Sequence, residues 1–119
     1  MNMGPEDLRF RTKAFAVRIV RLYKTLPFSA DTQVLGKQLL RCGTSVAANY
    51  RAACRGRSRA EWLAKIGLVV EEADESCFWL EMLSDCDIIP ATRLKELQQE
   101  AHELSALFTA SQRTARKRG

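Results

Sequence analysis

"SRAEWLAKIGLVVEEADESCFWLEML", residues 58–83, is the stretch whose reading decides the fold. Trp62, Ile66, Val69, Ala73, Ser76, Leu80 and Leu83 follow one another in alternating steps of four and three, without a slip. That period lines one face of an α-helix, whereas a strand would bury every second residue. Leu63, Val70 and Cys77 widen the stripe, and Glu71, Glu72, Asp74, Glu75, Glu81 and Asp85 fill the other faces. Ser58 and Glu61 stand in the S-x-x-E spacing of a capping box and start the helix. It ends around "DCDIIP". A helix with one wet face and one apolar face is stable only when that face packs on another element, so the fold depends on what flanks it.

The flanks are helical too. "NYRAACRGRS", residues 49–58, reads as the end of a preceding helix and a basic turn, with Gly56 permitting the turn. That helix begins at "SADTQ" with Ser29 or Asp31 as N-cap, and Val34, Leu35, Leu39, Cys42, Val46, Tyr50 and Ala53 make its stripe. Gly36 and Gly43 weaken a helix, so they read as places where a neighbour comes close. The first helix runs from Pro5 or Glu6 to Thr25 and stops at "LPF", because Pro27 cannot continue it. Its core positions are Leu8, Phe15, Ile19, Leu22 and Leu26, with Arg11, Lys13, Arg18, Arg21 and Lys24 on other faces. A fourth helix starts near Pro90 and Thr92, steps through Leu94, Leu97, Ala101, Leu104 and Phe108, and fades at Ser111. No strand candidate competes. The expectation is an all-α, antiparallel up-and-down four-helix bundle over residues 1–112, with a frayed basic tail, "RTARKRG", over 113–119.

The composition narrows the function classes. A chain of 119 residues builds one core, and its apolar runs are too short to cross a bilayer. "MNMGPEDLRF" lacks the basic start and apolar stretch of a signal peptide, so a cytoplasmic location is expected. Cys42, Cys54, Cys77 and Cys86 lie far apart and His102 is the single histidine, so no metal site is expected and the cysteines read as packing. His102 sits on a polar face without a nucleophile to serve. There is no phosphate-cradling glycine loop, so neither a cofactor nor an enzymatic activity is expected.

Charge is what remains. Residues 1–60 carry a net +9 and residues 61–119 a net −4. Arginines outnumber lysines 13 to 6, and their planar forks suit carboxylates or phosphates. Lys37, Arg41 and Arg51 on the second helix, with Arg55, Arg57 and Arg59 at the turn, are the candidate nucleic-acid contacts. The competing reading pairs these arginines with the acids of the third helix, in the same or an adjacent subunit. Asn49 and Arg51 in particular are expected to seek those acids. Apart from Tyr50 no aromatic lies among the arginines, so base-specific recognition is not expected.

At "TSVAANYRAACRGRSRAEWLAKIGLVVEEADESCFWLEML" (Thr44 to Leu83), with "LGKQLLR" (Leu35 to Arg41) before it, the chain resembles a bacterial family. Its members are small four-helix bundles first noticed as products of intervening sequences in 23S ribosomal RNA genes. The residues that carry the resemblance are Ser45, Asn49, Arg51, Arg55, Gly56, Ser58, Glu61, Lys65, Glu72, Ala73 and the run Trp79, Leu80, Glu81. At "NYRAA" the chain departs from the Asn-Ile-Ala-Glu-Gly type of many members. The resemblance implies a ring-like homopentamer, with Ser45, Asn49, Glu61, Glu72, Trp79 and Glu81 as structural or interface polar positions. It also implies a relation to the accessory proteins of diversity-generating retroelements, which bind nucleic acid and a reverse transcriptase. RNA or DNA bound without strong sequence preference, and such a protein, are the partners this implies beside the chain itself.

Overall fold

A computed structural model describes residues 4–118. Met1–Met3 and Gly119, at the outer ends of the expected bundle and tail, lie outside the described residues. Four helices follow one another: α1 (Pro5–Lys24), α2 (Ala30–Cys54), α3 (Arg59–Asp85) and α4 (Ala91–Lys117). The fold is the all-α, up-and-down bundle expected from the periodicity.

Local chemistry sets each boundary. Pro5 opens α1, where a missing N–H costs nothing, and the Gly4 N–H donates to Asp7 Oδ2 at 3.2 Å. Ser29 precedes α2, and its hydroxyl bonds Asp31 Oδ1 at 2.9 Å and Thr32 Oγ1 at 2.8 Å. Ser58 caps α3 by accepting the Glu61 N–H at 3.1 Å. The Glu61 carboxylate reaches back to the Arg57 N–H at 2.6 Å, one residue beyond a standard capping box. At the other end of α3, Asp87 takes a left-handed φ of 58°. Its N–H bonds the Ser84 carbonyl at 3.0 Å and the Ile88 N–H bonds the Leu83 carbonyl at 3.0 Å, the double closure of a Schellman motif.

Packing follows chain order: α2 lies mostly against α3, α1 against α2, α3 against α4, and α1 meets α4 least. Phe15, Ile19, Leu39, Ile66, Leu80, Leu83, Leu94, Leu104 and Phe108 are fully buried between the four. The two glycines of α2 face α1. A Cβ at Gly43 would stand 2.8 Å from Ile19 Cγ1, and one at Gly36 2.7 Å from Leu26 Cδ1. Gly56 also works through closeness, since its φ is negative. A Cβ there would meet the Ala53 carbonyl oxygen at 3.1 Å and the Trp62 nitrogen at 3.3 Å.

Three expectations are corrected. The basic segment 113–118 is not a frayed tail, because α4 runs on to Lys117. No glycine or proline interrupts residues 91–118, and Arg116 and Lys117 complement the negative end of the helix dipole. Val34, read as core, is 61% exposed, whereas Thr12, outside the expected stripe, is buried and returns its hydroxyl to the Leu8 carbonyl at 2.8 Å. Arg11, read as surface, forks onto Glu100 (Nε to Oε2 2.8 Å, Nη2 to Oε1 2.6 Å) and reaches Glu103 at 2.9 Å, tying α1 to α4.

Candidate nucleic-acid interface

An up-and-down bundle brings the start of α1, the end of α2, the start of α3 and the end of α4 to one pole. Two basic groups far apart in sequence therefore become neighbours. Arg51, Arg55, Arg57 and Arg59 come from the α2–α3 corner; Arg113, Arg116, Lys117 and Arg118 come from the last turns of α4. All eight are exposed, and among the described residues none takes part in a side-chain ion pair. Of the acids at this pole, Asp7 accepts the Gly4 N–H, Glu61 accepts the Arg57 N–H, and Glu6 stands exposed beside the α1–α2 groove. The pole is a net positive surface whose forks are free for oxygen ligands.

The expected cations do not all belong to it. Arg41 lies halfway along α2 and is spent on α3: it pairs with Glu72 (Nη1 to Oε2 3.1 Å) and with Glu75. Glu75 in turn accepts the Trp79 indole N–H at 3.3 Å, so Arg41, Glu72, Glu75 and Trp79 form one α2–α3 lock. Lys37 is exposed on α2, distant in sequence from the pole. Arg51 does not turn to α3 as expected. It lines a groove of about 360 Å³ against α1, with Glu6, Arg9, Phe10 and Lys13 on the opposite wall. Asn49 and Ser45 are half-buried on α2, and among the described residues Asn49 has no side-chain hydrogen bond to an α3 acid. Glu81 is exposed, and its carbonyl accepts the Ser84 hydroxyl at 3.0 Å.

Cys42, Glu72 and Glu75 are the one convergent set of metal-ligand types among the described residues. Arg41 already bridges both carboxylates. Burial pushes the Cys42 thiol up to about 11, so it offers no thiolate at neutral pH. Cys77 is buried likewise, at about 11, whereas Cys86 is exposed rather than packed.

Two apolar stripes lie on opposite sides of the molecule. On α1, Phe10 (78% exposed) and Val17 (40%) stand among Lys13, Arg18 and Arg21. On α3, Phe78 (50%) and Leu68 (40%) stand among Glu71, Asp74, Glu81 and Asp85. α1 and α3 stand diagonally across the bundle without close backbone approach, and both stripes are on its exposed surface, so one stripe cannot cover the other within a chain. The sequence holds both stripes, but periodicity credits apolar residues to the core and cannot say which remain outside.

Comparison with known proteins agrees with this architecture. The 23S rRNA-intervening sequence protein family matches residues 7–110. A crystal structure of a protein of unknown function from the S23 ribosomal protein family of Bacteroides thetaiotaomicron superposes with a TM-score of 0.83. It is 32% identical, and the match covers 93% of this chain and 99% of that one. No curated protein matches the chain. No helix among the described residues is long and apolar enough to cross a membrane.

Proposed function

Because the chain belongs to the 23S rRNA-intervening sequence protein family, we propose that it is a non-enzymatic, self-assembling, cytoplasmic bundle that binds RNA or DNA through its basic pole. The observation that carries this is the set of unpaired cations at one end. Carboxylates on α3 consume Arg41 but leave Arg51, Arg55, Arg57 and Arg59 without ion pairs among the described residues. The last turns of α4 add four more. Phosphate contacts of this kind supply affinity without reading sequence.

Self-assembly rests on the two stripes. Apolar residues rimmed by cations on α1 complement apolar residues rimmed by carboxylates on α3 of the next copy. Such a contact is head-to-tail, and it closes into a ring where its rotation allows. A ring of five, as the family resemblance implies, would repeat the basic pole and raise affinity for a polyanion by avidity. A reverse transcriptase is a partner in this reading through the same family relation.

Gel retardation of structured RNA and duplex DNA tests it. With about six phosphates contacted, affinity falls roughly 10³-fold between about 50 and 200 mM salt. No retardation at low salt sinks the nucleic-acid reading. It would favour the alternative, a protein-interaction scaffold of the kind that the Arg11 and Arg41 ion pairs already exemplify within the chain.

A further inference from the structure

We propose that the cleft left open between the four helix ends at the basic pole accepts one unpaired nucleobase. The proposal deepens the nucleic-acid reading above and rests on it. Each helix supplies a wall: Leu8 and Arg9 from α1, Tyr50 and Cys54 from α2, Trp62 from α3 and Ser111 from α4. The cleft measures about 370 Å³. That is near the small end of ligand pockets, about 300–1,000 Å³, and suits one flat ring rather than a duplex.

Its chemistry is that of a base site. The half-buried Trp62 offers apolar surface beside the buried Leu8 and Tyr50, and Tyr50 is held in place by Phe108, with ring centroids 5.0 Å apart. The Cys54 thiol and Arg9 lie close enough to the Tyr50 hydroxyl to act on it electrostatically. The Ser111 hydroxyl donates to the Leu107 carbonyl at 3.0 Å, which leaves its lone pairs free to accept. Arg9 is exposed and has no ion pair among the described residues.

What selects a nucleotide over another flat ligand is charge. Arg51, Arg55, Arg57 and Arg59 occupy the α2–α3 side of the pole. A base in the cleft leaves its flanking phosphates at a surface populated by these cations. An aromatic wall within a cationic surface is how single strands are held without sequence preference. The structure thus supplies the platform that sequence spacing does not show, since Trp62 lies on another helix from Arg9 and Ser111.

The test is fluorescence of Trp62 in a Trp79→Phe variant, where it is the single indole. A single-stranded RNA, the same RNA as a blunt duplex, and that duplex with an unpaired overhang are titrated at low salt. Expected is quenching by the strand and the overhang but not by the blunt duplex. Expected too is about tenfold tighter binding of the unpaired forms. Adding Trp62→Leu should abolish that preference while duplex retardation and helicity persist. Equal retardation of all three with Trp62 emission unmoved overturns the base site and leaves the basic pole intact. Quenching by an acidic aromatic peptide but not by RNA also overturns it, assigning the cleft to a protein. Retardation of nothing removes the parent reading, and this one with it.

Discussion

Arg11 holds the seam between α1 and α4, the neighbouring helices that meet least. Its side chain and that of Glu100 are about four-fifths buried, at 19% and 18% exposure, so their attraction is only partly screened. Arg11→Ala would leave Glu100 without its fork and should lose about 1–2 kcal/mol, between the values for exposed and fully buried pairs. Urea unfolding measures it, and Arg11→Lys should recover only part, because an ammonium cannot make the bidentate contact. The buried thiols give a pH dependence of known sign. Burial raises Cys42 and Cys77 from an ordinary 9.0 to about 11, so the unfolded chain ionises first. Their contribution to stability is complete below pH 9.0 and is lost as pH rises toward about 11. Urea midpoints across that window should fall, and a Cys42→Ala, Cys77→Ala variant should flatten the fall. At neutral pH a thiol reagent should modify Cys86 at once, and Cys42 and Cys77 only after unfolding.

At the scale of elements, α1 and α2 approach closely because of two glycines that are not equivalent. Ile19 is fully buried and β-branched, so it cannot make way for a methyl group 2.8 Å from its Cγ1. Gly43→Ala should therefore destabilise by about 1–2 kcal/mol despite the helix propensity it gains. Gly36→Ala meets the flexible tip of Leu26 at 2.7 Å and the edge of the Tyr23 ring at 3.2 Å, so it should cost less in a thermal melt than Gly43→Ala. The extension of α4 carries a different prediction. Truncation after Gln112 removes Arg113, Arg116, Lys117 and Arg118, none of which is buried. Stability should hardly change, while the salt dependence of nucleic-acid binding should lose a slope of about 3. The helices themselves were legible in the sequence, down to the Ser58–Glu61 cap, because the 3.6-residue period and cap chemistry are local. The end of α4 was misread, because a run of basic residues looks solvated whether or not it is helical.

For the whole molecule, the two stripes predict assembly through opposite sides. Light scattering at micromolar concentration should give an oligomer, and a monomer would defeat that reading. Phe78→Ser lies on the α3 stripe, outside the core, and should dissociate the oligomer with helicity unchanged. The candidate site was legible only in part. Arg55, Arg57 and Arg59 stand together in sequence and together in space, but Arg41, half a helix back along α2, is taken by Glu72 and Glu75. Their true neighbours, Arg113 to Arg118, lie more than fifty residues on. The sequence by itself determined the helices, their order and the up-and-down path, since these follow from apolar period, caps and short connections. Only the tertiary structure decided which cations are paired and which are free. That depends on which faces of different helices meet, and no local pattern encodes the rotation of one helix against another.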